Sequence, residues 1–159
     1  MTWRGSTTIR DRIFSCLPYL LPLISALGFG MTLFGQFPVL QSVLLWLLRP
    51  VLLIYGALGQ FGPLIIFFAL FVGVVRNEKI PHFIRFNTMQ ALLLDIVAYL
   101  CGIILGIVAL PGLVFAIQTL STTIFLGIMI AVIYSITQTL MGRYAEIPTL
   151  SEAVHMQVR

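Results

Sequence analysis

Long apolar stretches separated by short polar ones dominate this chain. No Asp, Glu, Lys or Arg occurs from 13 to 48, from 50 to 75 or from 96 to 142. Each of these stretches is longer than the ~20 residues that cross a bilayer as a helix. Their apolar residues would cover all sides of a helix instead of alternating along a strand, which excludes a membrane β-barrel. The pattern therefore predicts an all-α integral membrane protein.

The same pattern divides the chain into four transmembrane helices within one membrane domain, 1–159. Turn-forming residues and charges set the predicted bounds: helix one at about 13–34, helix two at about 57–75, helix three at about 86–110 and helix four at about 113–141. The first stretch could also be a signal peptide, but it contains Pro18 and Pro22 and is longer than the apolar region of such a peptide. We therefore keep it as helix one.

Two shorter elements complete the predicted fold. The stretch 38–50 is apolar but too short to span, so we expect an interfacial helix between helices one and two, with Arg49 reaching the headgroups. The tail, 142–159, is expected to form a short amphipathic helix. Thr149 and Glu152 have the spacing of a capping box at its start.

Charge adds a prediction of orientation. Only 9% of the residues are charged, against roughly 25% in a soluble domain. Eight of the nine basic residues fall on one side of the four-helix arrangement, with Arg49 alone on the other: Arg4, Arg10, Arg12, Arg76, Lys79, Arg85, Arg143 and Arg159. The positive-inside rule then places both termini in the cytoplasm or stroma. A fifth crossing at 38–48 would remove this bias, and the scattered cations do not form a nucleic-acid-binding stripe.

Polar side chains within the predicted helices are candidates for function. Asn87, Gln90 and Asp95 lie on helix three, and Asp95 is about 15 Å from Arg85, near the middle of a ~30 Å core. Tyr134 and Ser135 of helix four are expected at the same depth.

Two interpretations of these residues remain open. In the first, these residues line a polar seam that is hydrated from the cytoplasmic or stromal side, with Arg76, Lys79 and Arg85 at its mouth. Alternatively, a neutral Asp95 carboxyl bonds Tyr134 or Ser135 and holds two helices together, while the three cations only anchor the topology.

Small residues follow one face of each of the last two predicted helices. Gly102 and Gly106 form a GxxxG pair on helix three, and Gly127 and Ala131 lie on a matching face of helix four. Because small residues let helix backbones approach closely, we expect helices to pack here, with these two faces opposed. Motifs typical of enzymes, such as HExxH, GxSxG, GxGxxG and the P-loop, are absent, so we expect no catalytic residue, metal or cofactor.

Four segments together resemble a known family. They are RDRIFSCLPYLLPLI at 10–24, VVRN at 74–77, FIRFNTMQALLLDI at 83–96 and IPTLSEAV at 147–154. Their order is similar to that of the twenty-kilodalton subunit family of the translocon at the inner envelope membrane of chloroplasts, which has cyanobacterial relatives. The resemblance implies four membrane helices and a subunit that helps precursor proteins to cross the membrane, in contact with lipid, precursors and other membrane subunits.

The resemblance also implies where the protein is located. Only about a dozen residues precede helix one, whereas nuclear-encoded plastid members carry a long transit peptide, so the chain resembles a cyanobacterial or plastid-encoded member. We expect it in the plastid inner envelope, or in a cyanobacterial plasma or thylakoid membrane. A membrane scaffold or assembly factor, or a small-solute channel or transporter, remains an alternative function.

Overall fold

The structure, a computed structural model, describes residues 7–158. Arg4 and Arg159, which entered the predicted charge bias, lie outside this range. The described residues form helices and no strand, which confirms the all-α prediction. Within this range, four stretches are long and apolar enough to cross a membrane: Ile9–Gln36, Pro38–Val75, His82–Val108 and Val114–Leu140.

We number the helices in chain order. Helix α1 is Ile9–Gln36, α2 is Pro38–Leu58, α3 is Gly62–Leu70 with its π-helical continuation Phe71–Val75, α4 is His82–Val108, α5 is Val114–Leu140 and α6 is Leu150–Gln157. Predicted helices one, three and four thus correspond to α1, α4 and α5. The predicted short helix in the tail corresponds to α6.

Helix α1 begins earlier than the apolar pattern indicates. Thr8 caps it with a complete capping box: the Asp11 backbone N–H donates to the Thr8 hydroxyl at 3.2 Å, and the Thr8 N–H donates to the Asp11 carboxylate at 3.0 Å. This cap starts the helix at Ile9, although its first turn is polar. Pro18 lacks a backbone N–H, and the helix tightens there to a 3₁₀ turn at Leu17–Tyr19.

The predicted boundaries of the interfacial helix and helix two are wrong. Helix α2 continues through Pro50 to Leu58, because a membrane helix tolerates the loss of one backbone hydrogen bond at proline. The break comes instead at Gly59, whose φ of 69° and ψ of −154° favour glycine. Residues of α2 and α3 then line the same pocket, so the two helices do not form one straight rod.

Helix α1 occupies the centre of the bundle. In its most apolar window 50% of residues are buried, against 11% in the stretch that comprises α2 and α3. Its residues contribute to both apolar clusters of the core: Tyr19 packs with residues of α4 and α5, and Leu21 packs with residues of α3, α4 and α6. The apolar side chains exposed on the outside of the bundle are those that a membrane would cover.

Both ends of the described chain meet at one end of the bundle. Arg12, near the start of α1, donates to the carbonyl of Leu140 at the end of α5 at 3.2 Å. His82, at the start of α4, lies 3.1 Å from the Tyr144 hydroxyl and 3.3 Å from the Val158 carbonyl. We call this the basic end, since Arg10, Arg12, Arg76, Lys79, Arg85 and Arg143 belong to the segments that meet there.

The predicted capping box at the start of the tail helix is wrong. Thr149 precedes α6 with a φ of 72°, and its side chain makes no capping bond, because this backbone turns the hydroxyl away from the first helical N–H groups. Helix α6 is held by packing instead. Val154 is fully buried in the second apolar cluster, where His155 lies against Phe86 with ring centroids 5.1 Å apart.

Candidate functional site

A closed group of polar side chains lies inside the bundle, between α1, α4 and α5. The Tyr19 hydroxyl donates to the Asn87 carbonyl oxygen at 2.9 Å and accepts from the Gln90 amide at 3.2 Å. The Gln90 amide also donates to the Ser135 hydroxyl at 3.2 Å. The Thr139 hydroxyl lies 2.8 Å from the same Asn87 oxygen. All five side chains are fully buried, and we call them the polar core.

Helix α6 closes the polar core from the basic end. The Ser151 hydroxyl donates to the Gln90 carbonyl oxygen at 3.5 Å, so Gln90 joins α4 to α1, α5 and α6. The second amide of the core, Asn87, donates to the Phe83 carbonyl one turn earlier in its own helix at 2.8 Å. Because buried polar groups are costly unless they are hydrogen-bonded, these bonds hold the four helices in one arrangement.

The structure brings together three of the residues predicted to line a seam, Asn87, Gln90 and Ser135. It buries all three among hydrogen-bond partners. Two residues of the group, Tyr19 and Thr139, were not predicted. Tyr19 could have been recognised in the sequence as a single Tyr within the apolar stretch of helix one, because a buried Tyr hydroxyl usually has a hydrogen-bond partner.

Asp95 lies apart from the polar core. Its carboxylate accepts a short hydrogen bond from the Ser25 hydroxyl of α1, whereas the second interpretation had the carboxyl bond Tyr134 or Ser135. Tyr134 is 42% exposed on the outside of α5. The reason is that α1 packs against α4 here and supplies the partner of Asp95 itself. Ser25 is a further site residue that the sequence reasoning missed.

Two crevices meet at Ser25 on the outer surface of the bundle. One, of about 330 Å³, runs between α1 and α4 past Phe29, Tyr99 and Gly102. The other, of about 450 Å³, reaches Tyr55 and Gln60 near the break between α2 and α3. Asp95 and Ser25 therefore form a polar pair beside an outer groove in an otherwise apolar surface. We call it the Asp95 groove.

The three cations predicted at a seam mouth have different environments. Arg85 is 8% exposed, and its guanidinium donates to the Val75 carbonyl at 2.8 Å, which fixes the last turn of α3 against α4. Arg76 and Lys79 are exposed in the loop between α3 and α4. Arg85 thus stabilises the connection, because a buried guanidinium bonds a backbone carbonyl that the helix end leaves without an intrahelical partner.

The predicted packing of small residues on α4 against α5 is wrong within the chain. A Cβ at Gly102 would meet Phe29 of α1 at 3.6 Å, and a Cβ at Gly106 or Gly127 would meet no atom of the described residues within 4 Å. Ala131 packs partly buried against the first apolar cluster, to which α1 also contributes residues. The outward faces at Gly106 and Gly127 remain available to another helix.

Comparison with known proteins identifies the family. The sequence model of the family described as chloroplast import apparatus, Tic20-like, matches residues 8–154. The chain belongs to the Tic20 family. A Tic20 family protein of Synechocystis is 47% identical over 152 residues, which cover 94% of each chain. The Tic20 family protein Ycf60 of Porphyra purpurea is 35% identical, and the protein TIC 20-II, chloroplastic, of Arabidopsis thaliana is 30% identical; each match covers 99% of this chain.

Membership of the Tic20 family confirms the resemblance seen in the sequence. The match includes the polar core, Asp95, the loop with Arg76 and Lys79, and most of α6. Among residues 7–158, no group of three His, Cys, Asp or Glu side chains is arranged to hold a metal ion.

Proposed function

We propose that this chain is a membrane-embedded subunit of a protein translocation complex. It would contribute to the passage of precursor proteins across the plastid inner envelope or the equivalent cyanobacterial membrane. The observation that carries this proposal is the family match over nearly the whole chain, to a family described as chloroplast import apparatus. The four stretches among the described residues that are long and apolar enough to span a membrane agree with such a role.

The interior of the bundle favours a subunit over a pore made by one chain. Its apolar clusters are packed, and the polar core bonds to itself and to α6. A polypeptide would therefore meet this protein along its outer surface. The Asp95 groove is our candidate contact, because it holds a polar pair, Ser25 and Asp95, in an otherwise apolar outer surface, and polar groups at membrane depth mark functional sites by default.

The arrangement of the ends supports the orientation that we propose. The start of α1, the loop between α3 and α4 and the end of α5 meet at the basic end. Cytoplasmic loops of membrane proteins carry an excess of Lys and Arg. We therefore propose that the basic end, with both termini, lies in the cytoplasm or stroma, and that the chain acts there without a catalytic residue or cofactor of its own.

Site-specific photo-cross-linking in living cells tests the proposed function. The probe belongs at Tyr99, which lines the groove and is 71% exposed, since Gln90 is fully buried in the polar core. The matched control is Ile130 of α5, which is 68% exposed elsewhere on the bundle. We expect mass spectrometry to find many different polypeptides linked to Tyr99 and few linked to Ile130. One recurrent membrane partner at Tyr99 would instead indicate a scaffold or assembly factor.

Replacing Asp95 by leucine is expected to impair this contact without unfolding the protein. Among the described residues Asp95 has one hydrogen bond, from Ser25, so its loss should change the free energy of unfolding by only ~1 kcal/mol. Loss of one polar contact to a passing chain should lower the yield of Tyr99 adducts about fivefold. Asp95→Asn retains an acceptor for Ser25 and serves as the control. If Asp95→Leu removes the protein from the membrane, its role is structural.

A further inference from the structure

A large apolar pocket opens at the side of the bundle, away from the Asp95 groove. It measures about 520 Å³ and lies between α1, α2, α3 and the start of α4. This is within the range of ~300–1,000 Å³ that is typical of small-molecule sites. Its walls are apolar apart from two side chains, Lys79 and Thr88. The proposed function uses neither the pocket nor these two residues.

Thr88 carries the first indication of a ligand. Thr88 is fully buried, and among the residues that the structure describes its hydroxyl has no hydrogen-bond partner. A buried hydroxyl without a partner is costly, and native structures contain few of them. Because Thr88 lines the pocket, an acceptor on a molecule bound there would satisfy it.

The charge at the mouth of the pocket indicates the sign of that molecule. Lys79 lies exposed on the rim. Arg10 is one helical turn before Phe14, which lines the pocket, so it continues the same face of α1 toward the basic end. Of the acidic residues nearby, Asp11 accepts from Thr8 in the cap of α1, and Glu78 is exposed in the loop without lining the pocket. The rim therefore attracts an anion.

The depth of Thr88 in the membrane, together with the cations at the mouth of the pocket, indicates one kind of ligand. Thr88 follows Arg85 by three residues, which is about 4.5 Å along α4. This depth corresponds to the boundary between the headgroup layer and the hydrocarbon layer, where the ester groups of a glycerolipid lie. The apolar walls continue below Thr88 and the cations stand above it, in the order of an acyl chain, an ester and a charged headgroup.

We propose that this pocket binds one anionic glycerophospholipid. An acyl chain occupies the apolar space between α1 and α3, an ester carbonyl accepts a hydrogen bond from Thr88, and the phosphate lies against Lys79 and Arg10. The lipid thereby fills the gap that the break at Gly59 leaves between α2 and α3. This site is separate from the Asp95 groove, so the proposed function does not depend on it.

Native mass spectrometry of the purified full-length protein tests the proposal. The probes are phosphatidylglycerol and phosphatidylcholine with the same acyl chains, titrated into the protein in detergent. We expect one phosphatidylglycerol to bind in preference to phosphatidylcholine. Thr88→Val and Lys79→Gln should each lower the affinity for phosphatidylglycerol about fivefold.

Matched variants separate this site from general effects. Thr123→Val removes a hydroxyl that bonds the Thr119 carbonyl on the outside of α5, and Arg143→Gln removes an exposed cation at the same basic end. We expect both to bind phosphatidylglycerol as the unchanged protein does. Lys79 is exposed, so Lys79→Gln keeps the test valid if Thr88→Val does not fold.

Three results would overturn the proposal. Equal binding of the two lipids would show that charge does not select the ligand. If Arg143→Gln lowers the affinity as much as Lys79→Gln does, the charge acts only through the overall positive potential of the basic end. Unchanged affinity in both Thr88→Val and Lys79→Gln would remove the pocket from the binding site. A photo-probe at Ile54, which lines the pocket, should form adducts with lipid in membranes; consistent capture of a polypeptide would show that a partner helix occupies it.

Discussion

Gln90→Leu is expected to lower the free energy of unfolding by about 3 kcal/mol, one of the two largest effects in this protein. The substitution removes hydrogen bonds to Tyr19, Ser135 and Ser151, which belong to three other helices. Each such bond in a membrane protein contributes ~0.6–1.7 kcal/mol. Ser135 and Ser151 also lose their Gln90 partner inside the bundle, whereas Tyr19 keeps its hydrogen bond to Asn87. Unfolding in detergent, followed by helical circular dichroism, measures the change.

The same variant should loosen α6 before the rest of the bundle unfolds. Ser151 of α6 bonds the polar core through Gln90, so the loss of this hydrogen bond should expose the tail to protease and to hydrogen exchange. Gln118→Leu is the matched control, because Gln118 is exposed on α5. If Gln90→Leu proves as stable as Gln118→Leu, the polar core does not hold the helices together.

Gly30→Leu is expected to destabilise the bundle by about 3 kcal/mol through overpacking. A Cβ at Gly30 would lie 2.6 Å from the ring of Phe34 and 2.9 Å from that of Phe125. These two rings are buried in an edge-to-face pair, with centroids 5.5 Å apart, so neither can move without opening the contact between α1 and α5. Thermal unfolding in detergent should show the loss as a lower melting temperature.

Gly127→Leu is the matched control for this substitution. Gly127 is two residues from Phe125, but a Cβ there meets no described atom within 4 Å. Since leucine favours a helix over glycine by up to ~1 kcal/mol, Gly127→Leu should be neutral or stabilising in the isolated chain. If it nevertheless removes the protein from a larger assembly in cells, the face at Gly127 packs against another subunit. Equal melting temperatures for the two variants would contradict the close approach at Gly30.

Much of the fold could be predicted from the sequence because a bilayer imposes simple rules. Apolar stretches of sufficient length must form helices there, and turn residues such as Pro111 and Gly112 mark their ends. The predicted bounds of helix three, 86–110, differ from those of α4, His82–Val108, by a few residues. Helix ends depend on caps and on contacts outside the apolar run, which hydropathy does not register.

The candidate site was only partly predictable, for a related reason. Helical spacing correctly grouped Asn87 and Gln90 on one face of α4, but spacing does not reveal which helix a face meets. The prediction opposed α4 to α5, and Ser135 and Thr139 of α5 do bond this face. It missed α1, whose Tyr19 and Ser25 supply further partners to Gln90 and Asp95. As a result, one predicted seam became two separate features, a closed polar core and an outer groove.

The sequence by itself determined that this protein crosses a membrane as helices, that it belongs to the Tic20 family and that its cations collect at one end. Each of these follows from composition and local pattern, which require no knowledge of contacts. Only the tertiary structure decided that α1 is central, that α6 closes the polar core and that Thr88 faces an apolar pocket without a partner. Those features depend on contacts between residues far apart in the chain, and in an all-helical membrane bundle many arrangements bury similar apolar area.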